Sequence, residues 1–218
     1  MTLPAIGLLL AVGAALAWSG LDATRKALTT HLAPVPLVVL LTLGQAPTFA
    51  VWGAVEGAWI GGPGYIAPGL ACLATNVLAN VGFVRAVQLS PLSLTVPFLS
   101  FTPVFTAIVA IPLLGELPTP LHVAGIVAVV AGALLMHAGA AGSVLGVWRG
   151  FLRERGSVIM TGVALLWSLT AVLDEAALEH ASVPAHALVQ TGGVAVLLLA
   201  WLRVRSRVAE LACLRRGL

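Results

Sequence analysis

The apolar positions of this chain come in long runs, separated by short breaks of proline, glycine and charge. Seven runs can be traced: Leu3 to Leu21, Leu37 to about Trp52, Tyr65 to about Leu89, Leu92 to Leu114, a smooth Ala/Val/Gly/Leu run ending near Ala138, Val158 to about Leu178, and about Ala185 to Leu202. Runs of this kind match the length a helix needs to cross a hydrocarbon layer of about 30 Å. The breaks are Ala33-Pro34-Val35-Pro36, Gly61-Gly62-Pro63-Gly64, Ser90-Pro91, the turn at Gly115, Glu116 and Pro118, and a Gly/Ala then basic segment from His137 to Arg155. The pattern predicts an all-α polytopic membrane helix bundle of about seven spans.

The fourth run is the least regular. Its only interruptions are the hydroxyls Ser93, Thr95, Ser100, Thr102 and Thr106 and the prolines Pro97, Pro103 and Pro112. Interior proline removes a helical hydrogen bond, but in lipid neighbouring helices and Ser or Thr hydroxyls re-satisfy the freed carbonyls. A bend at Pro103 is expected, freeing carbonyls near Leu99.

Composition agrees with a membrane protein. Of 218 residues, 60% are hydrophobic and 9% charged, against about 25% charged in a soluble domain, and the mean hydropathy is +1.06. No segment outside the spans is long enough to bury a core of its own, so an extramembrane catalytic domain is not expected. The formal charge of +3 marks a membrane face rather than a nucleic-acid partner. Cys72 falls inside a span and Cys213 in a basic tail, without Cys-x-x-Cys spacing or a histidine cluster, so no disulfide, metal or other cofactor is expected. Ala15-Leu16-Ala17 imitates a signal cleavage site, but no Lys or Arg precedes the apolar run, and a retained first span is expected.

The chain also repeats itself. A shift of 149 positions pairs Gly13 with Gly162, Ala15 with Ala164, Leu16 with Leu165 and Trp18-Ser19 with Trp167-Ser168. The same shift pairs Ala27 with Ala176, His31 with His180, Gly44 with Gly193, Ala46 with Ala195 and Trp52 with Trp201. Five spans separate the copies, so the second must run upside down relative to the first. His31 and His180, at equivalent positions, are expected in external loops.

The ordered set Ala86, Ser90-Pro91, Thr102-Pro103-Val104-Phe105, Leu114-Gly115-Glu116-Leu117-Pro118-Thr119 and Gly125-Ile126 resembles the end of the first EamA-type repeat of the drug/metabolite transporter superfamily. The resemblance implies a ten-span architecture of two five-span inverted repeats. On that pattern, residues 1–140 are one complete repeat, 141–157 a basic linker, and 158–218 the first two spans of an inverted second repeat. It also implies an eighth span beyond Leu-Arg-Arg-Gly-Leu, which makes this chain resemble a member truncated in its second repeat, lacking the counterpart of the Pro-rich fourth span. A homo-oligomer or a partner completing the missing spans is then expected.

All eleven Lys and Arg residues fall on one side of a seven-span drawing. The positive-inside rule therefore puts the N-terminus outside and the C-terminus in the cytoplasm, in a bacterial inner membrane. Members of the family are usually described with a cytoplasmic N-terminus, so the resemblance implies the reverse.

Polar groups within lipid are costly and are functional candidates by default. Trp18, Asp22, Arg25 and Lys26 share one helical face. Asp22 with Arg25 or Lys26 has a plain reading as an ion pair at a helix end, with Lys26 snorkelling. The 149-residue shift sets Asp174 against Arg25 and Glu175 against Lys26, which would bring opposite charges together at a central site. Asn76 and Asn80, one turn apart, either bind solute or glue helices. Ser100 and Thr102 belong to the surface facing that site, and Trp18 and Trp167 either stack on a solute or pack. Glu116 reads as a neutralised helix end.

The functional expectation is a secondary transporter of small organic metabolites or drugs, by alternating access. No Gly-x-x-x-x-Gly-Lys-Ser/Thr run supports ATP-driven transport by this chain. A membrane-embedded enzyme would need a His-Glu-x-x-His run, clustered carboxylates or a Gly-x-Ser-x-Gly elbow, and none occurs. The alternative is a truncated, non-transporting or regulatory membrane protein.

Overall fold

The computed structural model describes residues 3–115, 117–141 and 154–205, and these form helices: α1 (Leu3–Leu28), α2 (Pro34–Glu56), α3 (Ile66–Leu89), the single turn α4 (Leu92–Thr95), α5 (Thr102–Leu114), α6 (Pro120–Ala141), α7 (Arg155–Leu178) and α8 (Val183–Val204). Among the described residues six segments are long and apolar enough to cross a membrane, and α6 adds a shorter apolar run, Pro120–Gly132. The bundle of about seven spans is as the sequence pattern predicts. Most of the expected linker, 142–153, the tail from 206 and Glu116 lie outside the described residues.

Several helices outrun their apolar cores. α1 continues past Leu21 to Leu28, because Asp22 and Arg25 pair with each other on its last turns instead of ending it. α2 reaches Glu56 and stops where Gly57 takes φ 80° and donates its N–H to the Gly53 carbonyl. α7 begins at Arg155, inside the expected linker.

The fourth span is broken rather than simply bent. Between α4 and α5 the chain winds as a 3₁₀ helix, Val96–Phe101, and Pro103 sits in the first turn of α5, where its missing N–H costs nothing. The irregularity spans both prolines: Pro97 occupies the first turn of the 3₁₀ stretch as Pro103 does that of α5, and Pro103 has no N–H to offer the carbonyl four residues back, that of Leu99. The Leu99 carbonyl, expected to be free, accepts the Thr102 amide, while the Ser100 hydroxyl donates to the Pro97 carbonyl.

Direction follows from the two ends. At one end Lys26 on α1 donates to the Ser90 and Val87 carbonyls, Gln88 donates to the Leu32 carbonyl at 2.9 Å, and Ser157 on α7 donates to Leu94 O at 3.2 Å. The last turn of α1 and the first of α7 thus share the C-terminal end of α3, so α1 and α7 run in opposite directions. At the other end the two loops are stitched: Gly61 N donates to His180 O at 2.7 Å and Ser182 N to Trp59 O at 3.1 Å. His31 and His180 lie at opposite ends, not both outside, because each follows a helix, α1 or α7, and those two helices run in opposite directions.

α3 against α7, and α2 against α8, make the most extensive contacts. Small residues permit the approach, as membrane interfaces require. A Cβ on Gly156 of α7 would overlap Ser90 Oγ at the end of α3, and one on Gly193 of α8 would stand 2.8 Å from Leu73 of α3. Phe83, Leu37, Met160, Val163 and Leu202 fill the centre. α1 touches this core only by its final turns, and its length from Ile6 to Gly20 is exposed.

Candidate transport cavity

One face of α3 carries Tyr65 just before its start, then Gly69, Cys72, Asn76, Asn80 and Phe83, at the three- and four-residue steps that stack on one side of a helix. α7 turns Trp167, Thr170 and Asp174 toward it at the same spacing, and α8 contributes His186 and Gln190. Where α1 leans on this surface a cavity of about 470 Å³ opens, lined by Trp18, Asp22, Asn76, Trp167, Asp174 and their neighbours. A second space of about 180 Å³ shares Trp18, Asn76 and Trp167 and reaches Asn80, Arg25 and Gln190. The two adjoin through these shared residues, with the tryptophans bordering both and the amides of Asn76, Asn80 and Gln190 lining the smaller, and are together called the Trp18 and Trp167 compartment.

Its charge is held in pairs. Arg25 Nη1 donates to Asp22 Oδ1 at 3.1 Å, with the arginine side chain 6% exposed. The guanidinium carbon lies 5.1 Å from the Phe83 ring centre and 5.4 Å from that of Trp18, a geometry in which the ring quadrupoles attract the cation. Arg25 Nε, also buried, has no hydrogen-bond partner among the described residues.

A second polar knot lies toward the stitched loops. Asp174 Oδ1 accepts from Cys72 Sγ at 2.7 Å and from His186 Nε2 at 2.8 Å. The Tyr65 hydroxyl is 2.8 Å from His186 Nδ1. Asn76 donates to Gln190 Oε1 at 3.3 Å, and Gln190 donates to Gly69 O at 3.0 Å. Thr170 and Thr75 join α7 to α3 at 2.8 Å.

Of the residues singled out from sequence, Trp18, Asp22, Asn76, Asn80, Trp167 and Asp174 come together around this compartment. Four do not. Lys26 is bound to the end of α3, and Glu175 is exposed. Ser100 serves its own 3₁₀ turn, and Thr102 offers its carbonyl to Ser168 at 2.9 Å and borders a separate space between α5 and α6. Lys26 and Glu175 also do not approach each other. Lys26 binds at Val87 and Asp174 at Cys72, fifteen residues or about 22 Å apart along α3.

Sequence reasoning passed over Tyr65, His186 and Gln190, expected no metal or disulfide at Cys72, and took Arg25 as a helix-end ion or as the counterpart of Asp174, not as a cation on the Phe83 ring. The signal was the stripe from Tyr65 to Phe83 and the four-residue step from His186 to Gln190. What hid it is that partners more than a hundred residues apart complete the site.

The model of the EamA-like transporter family matches residues 5–138, well over half of the chain. The chain belongs to that family. No curated protein and no solved structure matches it. In this EamA-like transporter the matched stretch takes in α1 to α5 and most of α6, hence Trp18, Asp22 and the α3 stripe. Asp174, His186 and Trp167 come from beyond it. An EamA-like chain with these spans is a multi-pass membrane protein of a transporter family, which is not a family of enzymes.

Proposed function

We propose that this chain is a secondary transporter that carries a small organic solute, a metabolite or drug, by alternating access, with the Trp18 and Trp167 compartment as its solute site. One observation carries the reading. The two tryptophans equated by the internal repeat border the same cavity, one from α1 and one from α7, and in inverted-repeat carriers the solute binds where equivalent elements of the halves meet. The same shift pairs Thr42 with Thr191, and both line the smaller space. The antiparallel course of α1 and α7 and the packing of α2 on α8 support reading 158–218 as the start of an inverted copy of 1–140. Family membership supports transport over a non-transporting or regulatory role.

We also take the membrane to be a bacterial inner membrane, with the end bearing Lys26, Arg85, Arg155 and Arg203 in the cytoplasm. A broken span such as α4 to α5 is where such carriers place irregular backbone, beside a cavity rather than lipid.

The test is flux into proteoliposomes of the full chain, using labelled amino acids and a labelled aromatic amine in turn. Saturable uptake above empty vesicles, lowered by Trp18→Ala and by Trp167→Ala, is the expected result. A monodisperse, helical protein that moves none of them would favour the non-transporting alternative.

A further inference from the structure

Cys72, Asp174 and His186 place a thiol, a carboxylate and an imidazole on three different helices, with one ligand atom of each all within 4.8 Å of one another. Buried cysteine in a membrane helix needs no such company. Hydrogen bonding alone would be served by a carboxylate whose two oxygens shared the donors, yet here both donors converge on the single atom Oδ1. The imidazole is held from behind by the Tyr65 hydroxyl at its other nitrogen, the outer contact that fixes ring orientation in metal-binding histidines. Cys72 is fully buried, while the Asp174 side chain is 37% exposed and borders the cavity, which gives a cation a way in.

We infer that Cys72, Asp174 and His186 form a binding site for a soft divalent cation of the zinc class, clamping α3, α7 and α8 beside the stitched loops. Sulfur, nitrogen and oxygen donors in a set of three, with a fourth position left to water, match the preference of such ions. Hard cations such as magnesium seek oxygen donors and octahedral geometry instead. In a tetrahedral site nitrogen and oxygen donors stand about 3.4 Å apart and sulfur and oxygen donors about 3.6 Å. The contacts at 2.8 Å from His186 and 2.7 Å from Cys72 must therefore open by about 0.6 and about 0.9 Å.

The proton balance is simple. The Cys72 thiol gives up one proton to solvent as the metal–thiolate bond forms. The His186 Nε2 proton is replaced by one on Nδ1, which then donates to the Tyr65 oxygen, so the imidazole stays neutral and offers Nε2 to the ion.

Cobalt(II) titration of the full chain in mild detergent tests this without any transport assay, so its failure and that of the transport reading are distinguishable. The expected result is one tetrahedral cobalt per chain, with a thiolate-to-cobalt charge-transfer band that zinc abolishes and magnesium does not. Cys213→Ser should keep the band and Cys72→Ser should lose it. Should Cys72→Ser fail to fold, His186→Asn keeps the thiolate and should weaken cobalt binding at least tenfold. Absence of the band in the wild type, a band that depends on Cys213 instead of Cys72, or unchanged binding in His186→Asn would overturn the site and leave the three side chains as a hydrogen-bonded helix lock.

Discussion

Arg25 of α1 holds its guanidinium 5.1 Å from the centre of the Phe83 ring of α3, and with the Lys26 bonds to the end of α3 this contact joins a largely exposed first span to the bundle. Both Nη1 and the ring are committed, because Asp22 takes a hydrogen bond from the same guanidinium at 3.1 Å. Arg25→Gln strips Asp22 of its counter-ion within the cavity wall, and breaking a buried pair from one side costs about 3 kcal/mol. Unfolding in detergent should show a loss of that order, and Arg25→Gln with Asp22→Asn should recover part of it. Strict additivity of the two changes would mean the pair is not coupled.

Gly156 and Gly162 lie on the same helix in opposite circumstances. A methyl group at Gly156 would overlap Ser90 and the Ala86 carbonyl, whereas at Gly162 nothing lies within 4 Å. Gly156→Ala should therefore destabilise by about 1 to 3 kcal/mol through overpacking. Gly162→Ala should be neutral or stabilising by up to about 1 kcal/mol from helix propensity. Thermal unfolding of the pair reads the contrast, and equal effects would contradict the α3 to α7 contact.

Lys26 and Glu175 offer a test of charge placement. Lys26→Glu puts a carboxylate against the Val87 and Ser90 carbonyls that the ammonium now binds, and should lower the yield of folded protein. Adding Glu175→Lys should bring no recovery, since that side chain is exposed at a distant level. Recovery on gel filtration would put the two residues in contact.

Pro97 and Pro103 should separate functionally. Both prolines hold first-turn positions, Pro97 in the 3₁₀ stretch and Pro103 in α5, but only Pro97 closely follows an α-helical turn, α4, that its missing N–H keeps from continuing. Pro97→Ala should let regular helix extend through 96–101 and lower solute flux, with Pro103→Ala close to wild type and both inserted equally. The reverse order would return the break to Pro103.

Sidedness is open to direct measurement. A reporter fused after Arg216 is expected to act as cytoplasmic and one inserted in Gly61 to Gly64 as external, following the clustered Lys and Arg residues. The opposite pattern would match the arrangement usual for the family.

The sequence by itself determined the class, the spans, their breaks and the family. Long apolar runs have one economical solution in lipid, a helix that satisfies its own backbone, and the order from Ser90-Pro91 to Gly125-Ile126 is local information. It also led to the proposal of an inverted repeat, since a repeat separated by five spans reverses direction. The facing of each helix was another matter. Apart from the polar stripe of α3 and the His186 to Gln190 step of α8, the spans are apolar all round and carry nothing to mark the inside, and lipid is as apolar as leucine, so hydrophobicity selects no buried face. Close approach at Gly82, Gly156 and Gly193 and hydrogen bonds across helices select it instead. Only the tertiary structure therefore brought His186 to Asp174 and Cys72, drew Arg25 onto Phe83, and left Lys26 and Glu175 apart.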